Sequence, residues 1–219
     1  MRERYPAHDR LCEVTDRFLH QTGLLSPALD NLRQHGWSVT VIDDVVADPP
    51  EHVVIETTER AKASGVQIVL GLGGGSSMDV AKLIAVLATG QQALVDIYGV
   101  RRVTGDRLPL VQMPTTGGTG SEVTAVSIVT TGETTKTGVV APQLFADMAI
   151  LDAELTLGLL RHATAATGID AMVHAIEAYT SIHAKNPLSD ALSERALALL
   201  SGNLLRACDF RHHVRRTFT

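Results

Sequence analysis

Asp170 and His174 are the residues of this chain whose types and spacing best suit a metal, in the stretch Gly168-Ile-Asp-Ala-Met-Val-His-Ala-Ile-Glu-Ala-Tyr-Thr-Ser181. An i, i+4 spacing stacks two side chains on one helical face. A carboxylate and an imidazole so placed can share one divalent ion, and a mid-row metal such as iron or zinc suits the mixed donor pair. The same spacing also makes a surface ion pair, and both readings stay open on these two residues alone. Along the same helix Ile169, Val173 and Ile176 form an apolar stripe expected to pack inward.

A second chemistry lies in Val66-Gln-Ile-Val-Leu-Gly-Leu-Gly-Gly-Gly-Ser-Ser-Met-Asp-Val-Ala-Lys82. Residues 66–72 predict a short buried strand, rich in Val, Ile and Leu. Gly73, Gly74 and Gly75 make a turn where backbone can approach a ligand closely. Ser76 or Ser77 is expected to cap a helix with apolar positions Val80, Ile84, Leu87 and Ala88. A strand, a glycine turn and a helix N-terminus together suit a phosphate, because free N–H groups and the helix dipole point at the anion. A glycine turn that only lets strand and helix pack is the alternative. A third segment, Pro114-Thr-Thr-Gly-Gly-Thr-Gly-Ser-Glu-Val-Thr124, offers hydroxyl donors without bulk. That suits a nucleotide, and it equally suits a plain Thr/Gly turn.

The elements that must position these residues alternate along the chain. Leu25, Leu29 and Leu32 predict a helix ending at Gly36, followed by a strand over Ser38 to Asp43. Pro49 and Pro50 open a second helix that closes at Gly65, and the glycine loop with its helix comes next. Further strands are predicted at Leu108 to Met113, Val123 to Thr130 and Met148 to Leu151. Such alternation implies an α/β domain with a largely parallel sheet, whose ligands bind beyond the carboxyl ends of the strands. From about Leu159 the pattern turns purely helical, with a last helix opening at Asn186 and Pro187 and carrying Leu188, Leu192 and Leu199. The domain boundary is expected near residue 160. Tyr5-Pro-Ala-His-Asp-Arg-Leu-Cys12 reads as a poor strand.

Composition narrows the class. The chain has 219 residues, 45% of them hydrophobic, enough to fill a core. Its formal net charge of −5 gives no sign of a nucleic acid or an anionic membrane as partner. Two cysteines, Cys12 and Cys208, make no disulfide framework, and a reducing compartment follows. No apolar run reaches membrane-spanning length and the polar start lacks a signal-peptide core, so a soluble cytoplasmic protein is expected.

Together the three segments resemble the iron-containing (group III) alcohol dehydrogenase family in order and nearly in spacing. That family carries Gly-Gly-Gly-Ser with a following Asp and Lys, then Pro-Thr-Thr-x-Gly-Thr-x-x-Glu, then Thr-Ala-Ala-Thr-Gly-x-Asp-Ala-x-x-His-Ala-x-Glu. This chain has Gly73 to Lys82, Pro114 to Glu122, and Thr164 to Glu177. The glycine segment is shared with glycerol dehydrogenases, whereas the other two point to the alcohol dehydrogenases. The resemblance runs from about Val14 to Cys208.

The resemblance implies a Rossmann-like, parallel-sheet nucleotide-binding α/β domain over residues 1–160, followed over 161–219 by the first helices of an all-α metal-binding domain. By position, Gly74, Gly75 and Ser76 would hold the pyrophosphate of NAD, with Asp79 of the same motif among the cofactor residues. Thr115, Thr116, Thr119 and Thr124 would line the adenine and ribose side, and Lys136 would reach the nicotinamide ribose. Asp16, in Val14-Thr-Asp16, would sit at the adenosine ribose and favour NAD over NADP. Asp170 and His174 match the first two ligands of Fe2+, with Zn2+ as the alternative. The implied reaction is hydride transfer between a small primary alcohol, or its aldehyde, and the nicotinamide, in a protein compatible with homo-oligomers.

The family completes its metal sphere with two histidines on later helices, whereas here only His183, His212 and His213 follow His174. Asp209 to Thr219 departs from the family pattern, and Leu160 and Arg161 stand where it usually has proline. These departures predict a chain truncated after the start of the helical domain, leaving Leu192 and Leu199 without cover. They also admit a second reading, a non-catalytic remnant that at most binds nucleotide.

Overall fold

The structure is a computed structural model that describes residues 1–90 and 92–217, with side chains as far as residue 209. Contacts divide the chain into two units, Met1–Pro114 with Ser121–Asp152, and Thr115–Gly120 with Ala153–Thr219. The second unit thus begins at Ala153 and takes in a loop from far upstream.

A five-stranded, wholly parallel sheet organises the first unit, in the order β2-β1-β3-β5-β8. The strands are β1 (Arg10–Asp16), β2 (Ser38–Val45), β3 (Ile68–Gly73), β5 (Leu110–Pro114) and β8 (Met148–Ala149). The short helix α1 (Arg17–Gln21) follows β1, and α2 (Ser26–Gln34) and α3 (Glu51–Ala63) flank β2. α4 (Gly75–Leu87) follows the glycine loop. Alternation along β1 sends Cys12 and Val14 to the core under α3 and α4, and Leu11 to the core under α2. α3 starts on Pro50 with Glu51 in its first turn and Arg60 and Lys62 in its last, which matches its dipole, and Gly65 at φ +62° lets the chain turn out of it.

Where a poor strand was expected, the structure has the strand between β2 and β3. β1 begins at Arg10, past Pro6, and its amide is held by the Gln67 side chain at 3.1 Å. The remaining strands form a second sheet, β4 (Gly99–Val100), β7 (Thr135–Val140) and β6 (Val126–Thr131), in that order. β6 and β7 are an antiparallel hairpin and β4 joins β7 in parallel, so this second sheet is mixed.

The second unit is built on α5 (Arg161–Thr180) and α6 (Pro187–Thr217). α5 buries Gly168 and Ala175, while Ile169, Val173 and Ile176 are 53, 42 and 48% exposed. The stripe expected to pack inward therefore faces out. α6 lies instead against the small-residue side, where a Cβ on Gly168 would run into the Leu204 side chain. Close backbone approach along glycine and alanine has won over the larger apolar residues. Leu188, Leu192, Leu199 and Leu205 of α6 are likewise exposed. Among the described residues no helix is long and apolar enough to cross a membrane.

Candidate functional site

The chain passes from β1 to β2 on one side of the sheet and to β3 on the other, so β1 and β3 flank a topological switch point. In open α/β sheets ligands bind outside the carboxyl ends of the strands at such a point. β1 ends there in Asp16 and β3 in Gly73, with Pro114 of β5 in register beside Gly73.

The helix after the glycine loop begins earlier than its serines suggest. Gly74 is the N-cap of α4 and makes no side-chain cap, so Ser76 and Ser77 lie inside the first turn rather than before it. The N–H groups of that turn lack intrahelical acceptors by construction and point along the positive end of the helix. Gly73 has φ +154°, and a Cβ there would come within 2.7 Å of Ser77 Oγ. Asp16 stands alongside as the N-cap of α1, its Oδ1 accepting from the Leu19 amide at 2.9 Å.

Ser76 and Lys136 are brought together by Asp48. The Asp48 amide donates to Ser76 Oγ at 3.3 Å, and its carbonyl accepts from Thr130 Oγ1 at 2.9 Å. Its carboxylate meets Lys136 Nζ at 2.7 Å, and Lys136 also donates to Thr130 Oγ1 at 3.0 Å. Asp48 holds φ +54°, a left-handed conformation that Asp tolerates better than most residues. Sequence reading missed Asp48. The Asp-Pro-Pro run marked a helix start, and the aspartate before it carried no signal of its own.

Asp79 and Thr124 meet around a different residue, Lys82. Asp79 Oδ1 accepts from Ser121 Oγ at 2.6 Å and Oδ2 from the Ile128 amide at 2.9 Å. Thr124 Oγ1 lies 3.2 Å from Lys82 Nζ. Both polar groups are engaged by protein partners, so they brace the segment 121–128 against α4.

In the second unit Gly118 packs on α5, where a Cβ would meet the Thr167 carbonyl oxygen at 2.8 Å. Thr115 is buried, Thr116 half-buried and Thr119 exposed. One turn past Thr167, Asp170 Oδ1 and His174 Nε2 stand 3.7 Å apart, roughly half-exposed. The distance suits two donors converging on one ion. Among the described residues no cluster of three or more His, Cys, Asp or Glu could hold a metal, so these two fit as part of a coordination sphere and not as a whole one. His183 is exposed, and His212 and His213 lie outside the residues with described side chains.

Two features of the first unit were not anticipated. Glu13, fully buried on β1, has both carboxylate oxygens without a hydrogen-bond partner among the described residues, and Thr15 Oγ1 is in the same position. Burial raises the Glu13 carboxyl to about 7, against the lowering influence of His20 and Arg33. Lys82, also fully buried, was visible only as the last letter of the glycine motif.

Comparison with known proteins decides the lineage. Residues 3–153 match the profile of the iron-containing alcohol dehydrogenases, and residues 164–218 that of the C-terminal region of the same family. The chain belongs to the iron-containing alcohol dehydrogenase family. It is 44% identical over 201 residues to long-chain-alcohol dehydrogenase 1 of Geobacillus thermodenitrificans, covering 89% of this chain and 49% of that protein. Its fold superposes on crystalline 1,3-propanediol oxidoreductase with a TM-score of 0.89 at 33% identity, over 94% of this chain and 55% of the other. Sulfoacetaldehyde reductase from Bifidobacterium kashiwanohense, solved in complex with NAD+, gives 0.85 at 30% identity, over 96% and 56%. The chain spans about half the length of the curated relatives it matches.

Proposed function

We propose that the protein is an NAD- and metal-dependent dehydrogenase that interconverts small primary alcohols and aldehydes. The observation that carries this reading is the glycine loop at the sheet's switch point, with Lys136 tied to its Ser76 through Asp48. Gly74, Gly75 and Ser76 present main-chain donors to the pyrophosphate. Lys136 supplies a cation for the nicotinamide ribose side, and Asp16 accepts from the adenosine ribose and repels a 2′-phosphate. Thr115, Thr116, Thr119 and Thr124 are assigned to the adenine and ribose side, and Asp79 to the cofactor motif, on the family resemblance alone. Asp170 and His174 would contribute two donors to iron, or to zinc in its place. That ion would supply Lewis-acid polarisation of the alcohol oxygen, and NAD would supply the hydride acceptor. The charge balance and two free cysteines support a cytoplasmic setting.

The test is calorimetry with NAD. Gly74 has φ −77°, so a side chain there leaves the backbone unstrained while adding bulk where the pyrophosphate is proposed to approach. Gly74→Val is expected to cut NAD affinity at least tenfold, about 1.4 kcal/mol. A folded wild-type chain that binds no NAD would sink the reading, and a preference for NADP would remove the role given to Asp16.

Among the described residues no third donor joins Asp170 and His174, which favours a second reading, a nucleotide-binding chain without turnover. Catalytic centres commonly use three protein ligands. The 219-residue chain is therefore expected to lose iron or zinc to a mild chelator. Metal retained through gel filtration, with turnover, would exclude this second reading.

A further inference from the structure

Lys82 has no solvent exposure, and its position explains how the segment after the threonine loop is held. An unpaired ammonium in the interior is costly, so a buried lysine persists where its donors are used. Here Nζ reaches Ser121 Oγ and the Val126 carbonyl, both at 2.7 Å, Thr124 Oγ1 at 3.2 Å and Asp79 Oδ1 at 3.5 Å. Asp79, one turn earlier on α4, completes the grip. Besides Ser121 Oγ and the Ile128 amide on its carboxylate, its carbonyl accepts from Ser127 Oγ at 3.1 Å. Every residue gripped lies between 121 and 128, a stretch with only a short 3-10 turn at Ser121–Val123 before β6 begins.

Two ends meet through this grip. α4 opens at the glycine loop, and β6 pairs with β7, which carries Lys136 in register with Thr130. The Ser76–Asp48–Lys136 link also joins them, but Asp48 is 78% exposed and a pair that wet holds weakly. Burial lowers the ammonium's affinity for its proton, while the neighbouring Asp79 charge works the other way.

We propose that Lys82, with Asp79, is a positioning residue that sets the spacing between the phosphate cradle on α4 and the β6–β7 hairpin bearing Lys136. This rests on the reading of the site as one for NAD. A ligand spanning both elements should feel the loss of the grip, whereas one confined to the cradle should not. ADP carries the pyrophosphate without the nicotinamide ribose and serves as the short ligand.

The experiment compares wild type, Lys82→Met and Lys82→Arg in the full 219-residue chain, by calorimetry with NAD and ADP and by amide hydrogen exchange. Lys82→Met is expected to weaken NAD about tenfold while ADP stays within about twofold, with Lys82→Arg recovering part of the loss. Exchange should speed up across residues 121–131 and stay slow across β3. Equal losses for NAD and ADP, or faster exchange throughout, would make Lys82 a general stabiliser and overturn the proposal. Unchanged NAD affinity with unchanged exchange would overturn it too. If wild type binds neither ligand, the NAD reading fails, and the exchange pattern alone decides whether Lys82 sets the spacing.

Discussion

Glu13 shows how one residue can tie the fold's stability to pH. Its carboxyl is raised from 4.5 to about 7 because folding strips it of water without supplying a hydrogen bond. In the unfolded chain the proton leaves near the ordinary value, while the folded chain keeps it until about 7. Between those limits the folded state binds more protons, so stability falls as pH rises from about 4.5 to about 7 and is flat above. The full shift corresponds to about 3 kcal/mol as an upper figure. Glu13→Gln is expected to melt higher than wild type at pH 8, with the gain fading towards pH 5. Parallel melting curves at both pH values would show that Glu13 is hydrated or paired in the folded state. Glu13 also explains why β1 was hard to read. A glutamate in the middle and an arginine at the start interrupt the apolar run that marks a buried strand, and only the pairing of β1 with β2 and β3 reveals it.

At the scale of elements, the helix-to-helix contact offers the sharpest test. Gly168 lets α6 approach α5 so closely that a side chain there meets the Leu204 side chain, which must turn aside into neighbouring packing to admit it. Gly168→Val is expected to cost roughly 2–3 kcal/mol, with loss of helical signal in the second unit. Adding Leu204→Ala should return much of that. A Gly168→Val variant as stable as wild type would mean the helices do not cross at this point. Sequence pattern located both helices but chose the wrong face of α5. Periodicity weighs hydrophobic bulk, whereas the packing here is governed by which stripe is small. The glycine loop, α3 and the last helix were legible because glycine and proline punctuate them. β7 was not, since Thr135, Lys136 and Thr137 lack an apolar alternation and are recognisable only opposite β6.

For the whole molecule, the apolar residues left in contact with water set the behaviour in solution. Ile169, Val173 and Ile176 on α5, with Leu188, Leu192 and Leu199 on α6, are all at least 42% exposed. Apolar surface gathered in this way promotes association. The 219-residue chain is expected to sediment as species larger than a dimer at micromolar concentration, and Val173→Lys with Leu192→Lys should shift it towards monomer. A monodisperse wild-type monomer would refute this. The family was legible from three motifs read in order. The partners of their polar groups were not, because nothing in the sequence tells that Asp79 and Thr124 meet at Lys82 while Ser76 meets Asp48.

Gly118 carries a practical consequence for recombination. Because it seats the threonine loop on α5 at Thr167, the polypeptide enters the second unit briefly at Thr115–Gly120, returns to the first, and enters again at Ala153. No single cut separates the two units. A chimera spliced only at residue 153 would seat one parent's loop on the other parent's helix. Exchanging halves between relatives therefore calls for two crossovers, with residues 115–120 travelling alongside α5 as if they were its own.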